Sequence, residues 1–158
     1  MFLFRNPSAR QLSLALAALR VTLGAVFIAH GAQKLFTYGF AGVTGAFGQM
    51  GIPFPGVMGP FIALLEFFGG IALVIGLLTR LASLGLVFNM LGAIAFVHFK
   101  GGFFLPAGYE FALTLLVANL ALVFTGAGEF SIDALIGRRD SAVANRTAPQ
   151  LQNTRRAA

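Results

Sequence analysis

Apolar residues in this chain come in long runs, not in the alternating or three-and-four spacing of an element with one wet face. Four runs approach the roughly 20 residues that a helix needs to cross about 30 Å of hydrocarbon: residues 12–36, 57–79, 81–99 and 107–125. Lipid offers no partner to backbone N–H and C=O groups, so each run predicts a spanning α-helix. The predicted fold class is all-α: a polytopic membrane four-helix bundle over residues 12–136, between an N-terminal stretch (1–11) and a tail (137–158).

The first run is too long for the core of a cleaved signal peptide, and Arg20 interrupts the place where that core would sit. After it, "TYGFAGVTGAFGQMGIPFPG" repeats glycine every third residue from 39 to 51, without the intervening prolines of a collagen-type helix. Phe40, Val43, Phe47 and Met50 fall on one face at helical spacing, which predicts a short interfacial helix in the first outer loop. "IPFPG" ends that helix, and Pro60 suits the first turn of the second span. Past the fourth span, Gly126 and Gly128 stop the helix and Ser131 is placed to cap a short turn. The polar and basic residues beyond predict a disordered tail.

Charge adds orientation. Of a net +6, the tail supplies +4, from five arginines against Asp140. Arg5 and Arg10 precede the first span and Arg80 sits in the tight turn after the second, whereas the opposite side has only Lys34 and Lys100, at helix ends. Basic residues gather on the cytoplasmic side of membrane proteins, which predicts a multi-pass inner-membrane protein with both termini cytoplasmic. Beside a bilayer, a basic tail reads as a topology determinant and lipid contact, not as a nucleic-acid arm. The composition agrees: 58% hydrophobic, 10% charged, mean hydropathy +0.86. With no cysteine, the chain cannot exchange disulfides, bind zinc by thiolate or hold an iron–sulfur cluster by itself, and no metal site is expected.

A charge near the bilayer centre costs about 2.5–3.5 kcal/mol on insertion scales, so each polar side chain inside a span should have a partner or a task. Counting about 1.5 Å per residue puts Arg20, Asn89 and Asn119 at one level and Glu66 one or two turns further out. An Arg20–Glu66 ion pair between neighbouring antiparallel spans, supported by Asn89 and Asn119, is the expected buried network. Gly24, Gly31, Gly69, Gly70, Gly76, Gly85 and Gly92 lie near it and are expected to let the helices approach closely.

A second polar layer lies near the outer end, where His30, Gln33 and Lys34 on the first span meet the level of His98, Lys100 and Glu110. Snorkelling to lipid headgroups accounts for the two lysines but not for His30 or Glu110. Two histidines on two helices can ligate a b-type haem, which is the disfavoured cofactor, because a quinone headgroup asks for less. It needs hydrogen-bond donors for its carbonyls, a carboxylate that passes protons, and an apolar, aromatic wall. His30, Gln33, Lys34, Glu66, His98 and Glu110 are the candidate ligand-binding residues, and the 18 phenylalanines are the candidate wall.

"AHGAQKLF" at the end of the first span, "GIPFP", "LLEFFGGIALVIGLLTRLAS" and "GAGEFSIDALIG" together resemble the DoxX family of small four-helix bacterial membrane proteins. The resemblance runs from about Leu14 to Gly137 and puts family motif positions on His30, Gly31, Lys34, Glu66, Gly70, Gly76 and Arg80. It implies kinship with the small membrane subunit of an archaeal thiosulfate–quinone oxidoreductase and with membrane systems that handle thiol and oxidative stress, and it assigns no role to a single residue. The expectation is a quinone-interacting or anchoring subunit of a membrane redox system, partnered in the lipid bilayer by copies of itself or by other redox subunits. The alternatives are a non-enzymatic scaffold or assembly factor and, behind it, a small oligomeric transporter. Whether the chain itself is an enzyme stays open at this point.

Overall fold

The structure, a computed structural model, describes residues 6–138. Most of the basic tail, and the disorder expected of it, lies outside the described residues. Helix α1 (Ala9–Ala32) begins ahead of the apolar run because Ser8 and Gln11 form a capping box. Gln11 N donates to Ser8 Oγ at 3.3 Å and Ser8 N donates to Gln11 Oε1 at 2.8 Å. At its other end α1 does not stop. It continues as a π-helical segment, Gln33–Tyr38, and Gly39, at φ +64°, turns the chain into α2 (Gly39–Gln49).

Helix α2 is the short helix expected in the first outer loop. It packs against α3 (Pro55–Ile75): Val43 is buried, and a side chain on Gly59 would meet Thr44 N at 3.2 Å and Val43 at 3.3 Å. The first helical position of α3 is taken by Pro55, not by Pro60. Pro60 lies inside the helix, where it has no N–H to donate to the carbonyl of Gly56. Gly76 ends α3 at φ +68°, with Leu77 N donating back to Ala72 O at 2.9 Å. A short turn leads to α4 (Thr79–Gly92), which runs on through a second π-helical segment, Ala93–His98, and a 3₁₀ turn, Phe99–Gly101. Helix α5 (Glu110–Thr125) completes the bundle. Among the described residues, three helices are long and apolar enough to cross a membrane, and α5 is a shorter apolar one.

Helices α1 and α3 make the closest approach. A Cβ on Gly24 would lie 2.6 Å from Gly70 O, and one on Gly70 would lie 2.8 Å from Gly24 O and from Ile28 N. Gly31 meets the backbone of Phe67 in the same way. Leu73, Leu86, Leu115, Leu122 and Phe27 fill the core between this pair and the α4–α5 pair. Phe61, Phe68, Phe88, Leu91, Val117 and Phe124 stand exposed on the outside. An exterior this apolar is far beyond the patches soluble proteins tolerate and is the surface a lipid solvent requires. Gly69 and Gly85 lie against Leu86 and Leu65 of the neighbouring helix, as expected of packing glycines. Gly92 does not: a Cβ there would find nothing within 4 Å, because the helix faces open space at that level.

Candidate functional site

The end of the bundle that carries residues 6–9 and 126–138 is called proximal here, and the end with α2 and the α4–α5 loop distal. The proximal end is closed by Arg20. This residue is buried, but it does not meet Glu66 as the sequence suggested. Its Nη1 donates to Leu73 O (2.8 Å) and Val74 O (2.9 Å), and its Nη2 to Phe130 O (2.5 Å). The first two acceptors belong to the last turn of α3, where carbonyls run short of intrahelical partners; Leu73 O also accepts from Gly76 N at 3.2 Å. Glu66 sits seven residues further along α3, roughly 11 Å away along the axis, and the Gly24–Gly70 crossing fixes that offset.

The segment after α5 folds back over the same end. Asp133 accepts from Leu78 N (2.7 Å) and Thr79 N (2.9 Å), capping α4, while its own N donates to Gly76 O (2.9 Å). Ser131 Oγ accepts from Ala134 N at 3.1 Å and so caps the short helix over residues 132–138, as its sequence position suggested. Arg80 Nη2 donates to Phe124 O at 3.3 Å. Asn119 does not join the expected network, because its Nδ2 donates to Leu115 O within its own helix at 2.8 Å.

The distal half holds the arrangement that can do chemistry. Glu66 is 4% exposed. Its Oε2 lies 2.5 Å from Lys34 Nζ, and its Oε1 accepts from Asn89 Nδ2 at 2.9 Å. Three helical stretches thus contribute one side chain each: the π-helical continuation of α1, then α3, then α4. A carboxylate has about four lone-pair sites and an ammonium three N–H donors, so the cluster keeps both acceptor and donor capacity beyond its internal bonds. Such π-helical turns are rare and concentrate at functional sites; here one carries Lys34 and the other His98.

A cavity of about 490 Å³ opens from this cluster, within the roughly 300–1,000 Å³ of small-molecule sites. Phe27, Phe61, Phe88, Phe96 and Phe111 stand among aliphatic residues and methionines in its largely apolar wall, and Phe47, Met50 and Ile52 line it from α2 and the residues after it. His30 and His98 line it as well, with His98 Nδ1 3.3 Å from Ala107 O. Of the six candidate ligand-binding residues, the cavity therefore gathers His30, Lys34, Glu66 and His98. Gln33 is exposed and is not part of the wall, since the residue next to Lys34 projects from another side of the helix. Glu110 is absent from it for a different reason: its Oε1 accepts from Leu105 N at 2.7 Å and ties the α4–α5 loop to the start of α5. The apolar wall, Phe27 and Met90 included, carries no signal that separates it from lipid-facing residues in the sequence. Asp133 escaped for another reason, since it caps a helix that begins 54 residues before it.

A Lys–Glu–Asn cluster with its carboxylate buried, beside a largely apolar cavity inside an apolar-surfaced helical bundle, defines a small polytopic membrane protein with a polar cluster in its interior. Residues 15–99 match the model of the DoxX family, and residues 58–155 match the model described as "TQO small subunit DoxD". The chain belongs to the DoxX family. It is 37% identical over 122 residues to an uncharacterized protein of Haemophilus influenzae, covering 75% of this chain and 87% of that one. It is 35% identical over 124 residues to the inner membrane protein YqjF of Escherichia coli, covering 76% and 90%. Over 118 residues it is 33% identical to a Bacillus subtilis protein named "Putative oxidoreductase CatD", covering 75% and 84%. No solved structure matches the chain.

Proposed function

We propose that this chain is the quinone-binding membrane subunit of a redox system, with the quinone headgroup held in the distal cavity. The observation that carries this reading is the Lys34–Glu66–Asn89 cluster, with Glu66 and Asn89 buried and Lys34 half-buried, in the wall of a largely apolar cavity. A bound quinone supplies carbonyl oxygens that take up protons as electrons arrive from a partner subunit. Lys34 is placed to donate a hydrogen bond to a carbonyl, and Glu66 to hold and pass a proton. His30, an exposed residue of the cavity wall on α1, is the group that would exchange protons with the surface. The family model named for a TQO small subunit and the relative named as an oxidoreductase support the redox assignment. With no cysteine in the chain, any sulfur chemistry falls to the partner. Arg10, Arg80 and Arg138 sit at the proximal end and support a cytoplasmic placement of that end, with the cavity in the outer half of the bilayer.

The test is quinone content and a quinone-dependent rise in melting temperature of the purified full-length protein. The reading expects both, with Lys34→Met and Glu66→Gln each weakening binding at least ten-fold, about 1.4 kcal/mol. Protein that carries no quinone and shows no shift overturns it. Bulky residues at Gly70 or Gly76 do not separate this reading from a scaffold. Gly70 is taken up against Gly24 and Ile28, and Gly76 against Ser131 and Arg20, so such changes break the bundle under either function. His30→Ala does separate them: a scaffold keeps its function, and a quinone site loses proton exchange.

A further inference from the structure

We infer that the distal cavity is entered sideways from the bilayer, through a slot between α3 and α4, and that its occupant is a quinone with a long isoprenoid tail that remains in the lipid. This rests on the quinone reading and specifies the form of ligand that the site takes.

The slot has a floor, a roof and an open flank. Its floor is where α3 and α4 still touch: a Cβ on Gly85 would lie 3.0 Å from Leu65 Cδ1, and Gly69 lies against Leu86 one turn below. Above that level the two helices part, and Gly92 has only open space beside it. Helix α2 and the residues after it, among them Met50, Ile52 and Pro53, form the roof and stand between the cavity and the distal surface. The flank is marked by Phe61 on α3 and by Phe88 and Phe96, on α4 and its π-helical continuation. All three line the cavity, yet they are 53%, 65% and 46% exposed. The two most exposed aromatic residues of the wall, Phe88 and Phe61, lie on α4 and α3, ahead of Phe96 at 46% and Phe111 of α5 at 44%, which puts the widest opening on the α3–α4 side. Phe88 lies nine residues into α4, roughly 14 Å from its start, so the opening faces hydrocarbon and not water.

Polarity is graded along the same line. Glu66 and Asn89 are buried at the inner end, and the outer end is aromatic and lipid-facing. A ligand complementary to that gradient has a polar head that accepts and donates hydrogen bonds and an apolar body leaving through the slot. A tail-less quinone satisfies the inner end only. A lipid with a charged, hydrated headgroup satisfies the outer end only, since its head would displace none of the cost of burying charge beside Glu66.

Two arms test this on the full-length protein in bilayers. The chain has no tryptophan, so Gly92→Trp places one reporter in open space beside the cavity. Val117→Trp, on the exposed face of α5 outside the cavity, is the lipid-exposed reference. In phosphatidylcholine brominated at mid-chain, quenching of Gly92→Trp at half or more of the reference supports a slot open to lipid, and less than half overturns it. The second arm needs no substitution. Quinones sharing one headgroup, with a long isoprenoid tail or a single isoprene unit, are compared at equal mole fraction in the bilayer. The long-tailed form should bind at least as tightly, and a ten-fold weaker affinity, about 1.4 kcal/mol, overturns the inference. Strong quenching with binding of neither quinone would instead overturn the quinone reading and assign the slot to a lipid acyl chain. Binding of both quinones with weak quenching would keep the headgroup site and remove the sideways route.

Discussion

Removing Lys34 should destabilise the bundle more than removing the charge of Glu66, and removing both should cost less than removing Lys34 alone. The paired atoms are 2.5 Å apart, and the side chains of Lys34 and Glu66 are 20% and 6% exposed. Lys34→Met keeps an unbranched apolar stem but leaves the more deeply buried carboxylate with Asn89 Nδ2 as its remaining partner. Breaking a buried pair from one side costs about 3–5 kcal/mol, because the surviving charge is uncompensated. Glu66→Gln leaves the charge on a flexible stem near the distal end, from which it can reach headgroups. Its amide oxygen can still accept from Asn89, so the loss is that of one charge-assisted hydrogen bond, about 1.5–3 kcal/mol. In the double variant neither charge remains, and replacing a buried pair by groups of similar volume is often close to neutral. For a chain of this size each kcal/mol moves the melting temperature by about 2–4 °C, so Lys34→Met should lower it by about 6–20 °C. Thermal unfolding of the purified protein without added quinone, followed by helical circular dichroism, reads all four corners of the cycle. If Glu66→Gln melts below Lys34→Met, or the double variant below both, the carboxylate is not held as a paired charge and the reasoning fails.

Gly70→Ala sets a Cβ against the backbone of Gly24 and Ile28. The strain of about 1–3 kcal/mol should outweigh the gain in helix propensity, at most about 1 kcal/mol; the same propensity gain comes unopposed in Gly92→Ala, which should melt no lower than the parent. Asp133→Ala removes the acceptor for two amides at the start of α4 and should cost about 0.5–2 kcal/mol, with hydrogen exchange at Leu78 and Thr79 accelerating before that of the core. Arg20→Met releases Phe130 and should make residues 126–138 the first site of limited proteolysis, in contrast to Lys34→Met, which leaves that segment protected. Glu110→Gln should leave quinone affinity within about two-fold of the parent, under 0.5 kcal/mol, because Glu110 serves the loop and not the cavity; a ten-fold loss would put it back in the site.

The number and order of the apolar helices are legible because long apolar runs are read directly from the sequence, although the fourth, α5, has 16 residues and is shorter than the three that are long enough to cross a membrane. Their ends are not set by hydropathy: Ser8 and Gln11 start α1 by hydrogen bonding, and polar Gln33 and Lys34 are absorbed into a π-helical continuation. The polar residues are legible as a set but not as pairs. A depth count carries an error of about one turn, or roughly 5 Å, on each helix, and a pair drawn between antiparallel helices adds both errors. The count therefore pairs Arg20 with the nearest buried carboxylate, although the acceptors within its reach are backbone carbonyls, which carry no signature in the side-chain sequence. The same limit hides Asp133, since its cap depends on a fold-back that only the tertiary structure supplies.

What the residue types withheld, the helix register supplies, and it comes from glycine. Gly24 on Gly70 and Gly31 on Phe67 bring the backbones of α1 and α3 into contact, so Lys34, three residues beyond Gly31, comes level with Glu66. From that level towards the distal end regularity is lost on three helices: α1 passes into its π-helical segment, Pro60 interrupts the ladder of α3 about 9 Å further out, and α4 passes into a second π-helical segment beyond Gly92. Irregular backbone at membrane depth is tolerated only where it is buried in protein or lines a cavity, because lipid satisfies none of the freed groups. Residues of both π-helical segments line this one, and Met58 and Phe61 on either side of Pro60 do too. The proximal half, where Arg20 ties α1, α3 and the fold-back together, is what allows the distal half to part without loss of the fold. A packing fault would be confined to one helix. Coincident irregularities in three, around the Lys34–Glu66–Asn89 cluster, are what the proposed site requires, since local rules of regular structure are given up where function demands it.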